Sequence, residues 1–135
     1  MLRNLRKMWK NQKGLTLIEL LAVVVILGII AAIAVPAIGK IIDNTKKDAV
    51  IAEAIQIING AKIAYAADPS KAPYDQTELE AYVDNAEDDS FTVNVNDGVF
   101  SIQGHDVAPL LKYSDTDNIT EDALINKTEK VVTQQ

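Results

Sequence analysis

Twenty consecutive residues without a charge, Leu20 to Gly39, constrain most strongly what this chain can become. A helix rises about 1.5 Å per residue, so the run covers about 30 Å, the thickness of a bilayer's hydrocarbon core. The wider stretch Gly14 to Gly39, GLTLIELLAVVVILGIIAAIAVPAIG, holds one ionisable side chain, Glu19. A carboxylate near the end of an apolar helix costs on the order of 2–3 kcal/mol to insert, and such groups are usually retained for a task. Ahead of it lie thirteen residues, MLRNLRKMWKNQK, with five Lys/Arg and no acid. They read as a positively charged leader outside the fold. Ala32-Ile33-Ala34 also forms the A-x-A pattern of a secretory cleavage site, so an ordinary signal peptide is the rival reading. Glu19 inside the apolar core, and a helical pattern continuing past Pro36, count against that rival.

Gly14-Leu15-Thr16-Leu17-Ile18-Glu19-Leu20 sets the acid five residues after a small residue that closes a basic leader. This arrangement resembles the N-terminus of type IV pilins and pseudopilins. The resemblance covers Lys13 to about Pro36. It implies that a prepilin peptidase cuts after Gly14 on the cytoplasmic side and N-methylates Leu15, where Phe is commoner in the family. It also implies that Glu19 pairs with the N-terminal amine of a neighbouring subunit during assembly, and that Gly28 and Pro36 sit at the family's helix-weakening positions. The physics supports the Glu19 role independently, because a buried carboxylate seeks a positive partner and proteolysis at Gly14 creates one. Pro36 lacks an N–H and crowds the carbonyl of Ala32, so a kink or local melting is expected there.

Charge is divided along the chain. From Leu15 onward eight lysines face nineteen acidic residues, a net charge of −11. Lys/Arg on the N-terminal side predict that this end stays cytoplasmic and that the acidic part is exported. No arginine follows Arg6, so the exported part is a poor candidate for tracking nucleic-acid phosphates and no direct nucleic-acid binding is expected. Without cysteine, no disulfide holds the exported domain.

Beyond Gly39 the helical pattern changes character. Val50, Ala54, Ile57, Ile58, Ala61 and Tyr65 follow i, i+3, i+4, i+7 spacing, with Glu53, Gln56, Asn59 and Lys62 on other sides. Residues 40–67 therefore read as an amphipathic continuation of the helix, bent where Asp43-Asn44-Thr45 and Gly60 weaken it. Asp68-Pro69-Ser70 stops it. Thr77 to Val83 suggests a short helix capped by Asp75 or Thr77. Phe91–Val95 and Val99–Ile102 alternate apolar and polar around Asn96-Asp97-Gly98, a hairpin signal. Val107 to Tyr113 reads as a third strand, placed at an edge by Pro109, Thr120 to Asn126 as a short helix, and Glu129 to Gln135 as a frayed end. The expected fold class is α+β: a long N-terminal helix whose first half is transmembrane, with a small antiparallel sheet packed on its exported half. This is also the fold that the resemblance implies. The expected organisation is a cleaved leader at 1–14, a transmembrane and assembly helix at 15–38, and an exported domain at 39–135.

No enzymatic constellation stands out, and no cofactor is assigned. The single His105, in Gly104-His105-Asp106, lacks a cysteine or second histidine to complete a zinc site or a nucleophilic pair and reads as a surface residue. Asp84, Glu87, Asp88 and Asp89 read as a solvated turn. Asp115, Asp117, Asn118 and Glu121 offer the alternating oxygen donors calcium favours, but without the glycine and loop length of an EF-hand. Some major pseudopilins do bind calcium in their C-terminal loops, so these four residues are the calcium candidates of a chain otherwise assigned no metal. The resemblance implies a structural subunit of a type IV pilus-like filament, a major pilin or pseudopilin, serving DNA uptake, protein secretion, or adhesion and motility. It starts as a single-pass plasma membrane protein and ends in an extracytoplasmic filament at a prokaryotic cell surface. Its partners are then copies of itself, the prepilin peptidase, an assembly ATPase and a membrane platform protein. The alternative is a monomeric membrane-anchored or secreted binding protein with an ordinary signal sequence.

Overall fold

A computed structural model describes residues 2–84 and 86–130, with side chains from residue 16 onward. Helix α1 runs from Leu2 to Ala67 without a break and carries Pro36 inside it. The local melting expected at Pro36 is not observed. Proline removes one backbone hydrogen bond, and the remaining intrahelical bonds on either side hold the apolar helix together. The chain divides into two units, Met1–Asp43 and Asn44–Gln135.

From Leu2 on, the first unit is helix alone, and from Thr16 to Asp43 nearly every residue is exposed. The second unit builds a core on one face of α1. Ala54, Ile57, Ile58 and Ala61 are completely buried, with Ile51 and Ala64 beside them and Val50 and Tyr65 at the margin. This is the face that the helical spacing marks out.

The chain leaves α1 at Asp68, which caps a 3₁₀ turn, Pro69–Lys71, by accepting a hydrogen bond from Ser70 N. Strand β1 (Tyr74–Asp75) leads into α2 (Gln76–Leu79), where Asp75 and Glu78 form a reciprocal capping box. The predicted helix to Val83 is thus shorter; beyond Glu80 the chain turns so that Val83 reaches the core. Strands β2 (Thr92–Asn96) and β3 (Val99–Gln103) form the expected hairpin. Its two-residue loop has φ of 50° at Asp97 and 80° at Gly98, the left-handed pair that a tight twisted hairpin requires.

The predicted third strand over Val107–Tyr113 is instead helix α3 (Val107–Leu110) with a following turn. Val107, Ala108 and Leu111 recur at helical spacing and all are buried, so tertiary packing selects the helix. The outer strands are β1 and β4 (Ile119–Thr120), giving an antiparallel sheet in the order β1-β2-β3-β4. Helix α4 (Glu121–Ile125) follows, capped by Thr120. Val93, Ile102 and Ile119 of the sheet, with Tyr74, Leu79 and Leu124, join the same apolar cluster as the α1 face. The fraying expected over Glu129–Gln135 is not seen at Lys130. Lys130 N donates to Leu111 O and its Nζ pairs with Asp117, while residues 131–135 lie outside the described residues. The fold is α+β, a long apolar N-terminal helix followed by a small four-stranded antiparallel sheet.

Candidate functional site

Leu and Ile side chains between Leu17 and Ile42 stand exposed on every side of α1, from 48% at Ile42 to 70% at Ile33. Removing one such side chain from water stabilises by about 1.5–3 kcal/mol, so a stretch of this length has a driving force of tens of kcal/mol toward lipid or other apolar helices. An all-round apolar helix is stable only when something covers it. Within Thr16–Ala67 the helix is long and apolar enough to cross a membrane, and its most apolar window has no buried residue.

Glu19 is exposed on the N-terminal part of this stretch, between Ile18 and Leu20, and is the sole acid from Leu15 to Ile42. At Gly28 an added Cβ would meet nothing within 4 Å, and Pro36 is exposed. Among the described residues nothing covers these positions. Gly14 and Leu15 belong to the helical backbone, and the Leu15 side chain lies outside the described part.

Three of the four calcium candidates engage other partners through their side chains. Asp117 Oδ2 accepts from Lys130 Nζ and Ser114 N, both at 2.7 Å. Lys130 foremost, with Ser114, holds the Asp117 carboxyl below the usual carboxylate range. Asn118 Oδ1 accepts from Asn94 Nδ2 at 2.8 Å. Glu121 pairs with Lys62 of α1, and Asp115 offers its backbone oxygen to Gly104 N. Among the described residues no group of three or more His, Cys, Asp or Glu side chains gathers to hold a metal.

Two readings of the acidic loop and the histidine change. His105 is 1% exposed, not a surface residue, and its Nδ1 accepts from Val107 N at 3.0 Å. Val107 and Ala108 enter the core immediately after it, and this draws the imidazole in. Asp88 is buried as well, whereas Asp84, Glu87 and Asp89 stay in solvent. Asp88 Oδ1 accepts from Ser90 N and Ser90 Oγ, and its Oδ2 from Asp106 N. Burial opposes its charge, yet these hydrogen bonds and the nearby His105 outweigh burial and hold its carboxyl low. Glu53 of α1 accepts from Glu87 N and Asp88 N, a role that the helical pattern does not reveal. The Asp-x-Ser spacing of Asp88 and Ser90 is the one local signal for this clamp, since Asp side chains commonly bond the backbone two residues on.

Residues 9–35 match the family model described as the prokaryotic N-terminal methylation motif. The chain is 35% identical over 82 residues to the type IV major fimbrial protein FimA of Dichelobacter nodosus strain VCS1703A, covering 53% of this chain and 48% of that protein. It is 38% identical over 74 residues to a fimbrial protein of Pseudomonas aeruginosa, covering 49% of this chain and 48% of the relative. The chain thus spans about half the length of the relatives it matches. No solved structure matches it.

Proposed function

We propose that this chain, which belongs to the type IV pilin family through its N-terminal segment, is a structural subunit of a pilus filament, polymerised through its apolar helix. The observation that carries the reading is the exposed apolar surface of α1 with Glu19 as its single acid, inside the segment that matches the methylation motif. Repeated heterologous contact of one copy with the next gives an open helical polymer, and apolar helices packed side by side bury the surface that one copy leaves bare.

In this reading residues 1–14 are a leader removed by a prepilin peptidase, 15–38 are the transmembrane and assembly helix, and 39–135 are the exported domain. Gly14 is the cleavage residue and Leu15 the methylated new terminus. Glu19 pairs with the Leu15 amine of the adjacent copy, and Gly28 and Pro36 lend the assembly helix local give. The precursor crosses the plasma membrane once with its N-terminus cytoplasmic. An assembly ATPase and a membrane platform protein then extract it into a surface filament. Among filament types, the small cysteine-free domain leans toward competence or secretion pseudopili over adhesive or motile pili. Mass spectrometry of the N-terminal peptide from native cells tests the processing. A chain starting at Leu15 with one added methyl supports it, and a start at Val35 establishes the secretory-signal reading. Shearing cells and finding only monomeric processed chain would overturn the filament.

A further inference from the structure

The exported domain closes around one histidine through hydrogen bonds whose polarity is fixed. Val107 N–H points at Nδ1 of His105 at 3.0 Å, so Nδ1 is an acceptor and the neutral ring carries its proton on Nε2. Nε2 is buried and has no hydrogen-bond partner among the described residues. On either side, Gly104 packs closely against the neighbouring loop and Asp106 binds it. Gly104 has φ of 77°, and an added Cβ would lie 2.7 Å from Ser90 O. Asp106 N donates to Asp88 Oδ2 at 2.7 Å. That loop is tied in turn to the long helix by Glu53, which accepts from Glu87 N and Asp88 N. Helix, acidic loop and α3 are therefore joined in series, with carboxylates or a neutral imidazole as acceptors and mainly backbone N–H groups as donors.

We infer that His105 is a proton-sensitive latch: protonation of its buried imidazole breaks its bond to Val107 N and releases α3 from the core, while the Asp88 clamp still holds the turn 104–106. A second proton can enter only at Nδ1, where it would face the Val107 N–H donor. The cap on α3 is then lost and a charge is created beside the Phe91 ring, whose centroid lies 6.3 Å away. The groups facing the ring are Asp88 from the acidic loop, Glu53 from α1 and Asp106 from its own turn, whereas α3, Val-Ala-Pro-Leu, supplies no titratable side chain. Burial outweighs these three carboxylates and lowers the imidazole below its ordinary 6.5. The stabilisation by neutral His105 is thus complete above about 6.5 and is lost as pH falls from there toward the native value. Asp88, lowered from an already acidic 3.8, titrates later. In the interval between, the imidazole switches while the Asp88 clamp stays charged. Release would uncover Val107, Ala108 and Leu111, all now buried.

The chain has one histidine, so its imidazole signals are unambiguous. In the full-length chain in detergent micelles, ¹⁵N-imidazole NMR should show the Nε2–H tautomer at pH 7.5 and titration below 6.5. Amide exchange of 106–111, corrected for intrinsic rate, should rise several-fold as pH falls below 6.5, over the interval in which the imidazole titrates. In His105→Asn, whose side-chain oxygen can accept from Val107 N without titrating in this range, the rise should vanish. An Nδ1–H tautomer, an unshifted imidazole, or exchange that rises only near the Asp88 titration would each overturn the latch. If His105→Asn does not fold, the wild-type tautomer and the coincidence of its two curves still decide it. All these readouts are made on dispersed subunits, so the result is independent of whether filaments form.

Discussion

Replacing Gly60 by alanine sets two effects of opposite sign against each other. On an exposed helix the change stabilises by about 0.8–1.0 kcal/mol, because glycine is the poorest helix former after proline. Gly60, however, is buried against the turn after α2. A Cβ built there would sit 2.4 Å from Val83 Cγ2 and 3.3 Å from the carbonyl oxygen of Tyr82. The first separation is far inside van der Waals contact, and Val83 is itself packed into the core and unable to swing into solvent. Overpacking of this kind costs about 1–3 kcal/mol. Subtracting the propensity gain leaves a net destabilisation of about 1 kcal/mol, or about 4–8 °C for a unit of under a hundred residues. All four tyrosines lie between Tyr65 and Tyr113, so their near-ultraviolet signal in micelles follows this unit while the apolar helix stays folded. Repeating Gly60→Ala in a Val83→Ala background removes the closer clash and should recover most of the loss. A raised melting temperature for Gly60→Ala alone would show that helix propensity wins, and would refute the tight approach of the Tyr82–Val83 turn to α1.

Glu19→Gln should insert and be processed as well as the native chain, because the amide is easier to bury, yet yield several-fold fewer sheared filaments; native filament yield from the processed variant would reduce Glu19 to a peptidase recognition feature. Ile57→Asp, at a completely buried position, places an unpaired charge in the core at a cost of several kcal/mol, and the tyrosine melting transition should disappear. Asp88→Ala orphans the N–H groups of Ser90 and Asp106 and should destabilise by about 1–3 kcal/mol at pH 7. Because the native Asp88 carboxyl is lowered, its contribution is complete above 3.8 and is lost as pH falls through the native value. Melting curves of Asp88→Ala and the native chain should therefore converge in strong acid, and a gap that persists there would contradict the charged clamp.

What the sequence determined by itself are the features whose cause is local. Twenty uncharged residues allow few structures other than a membrane-length helix, and the spacing of Ala54, Ile57, Ile58 and Ala61 identifies the core face without reference to its partner. Asp97-Gly98 specifies its hairpin because few other residue pairs tolerate two consecutive positive φ values. Glu19 is conspicuous in the sequence because a single charge in an apolar run has no bland chemical reason to be there. Tertiary structure decided whatever depends on a distant neighbour. Val107–Tyr113, with a proline and mixed spacing, suits an edge strand as well as a helix, and only the burial of Val107, Ala108 and Leu111 selects the helix. Gly60 reads locally as a weak point in α1, whereas its real constraint is a turn more than twenty residues onward. His105 and Asp88 read as surface groups because their sequence neighbours are polar. They are buried because Asp88 closes on Asp106, eighteen residues away, and Glu53 reaches the same loop from α1, contacts that no local pattern encodes.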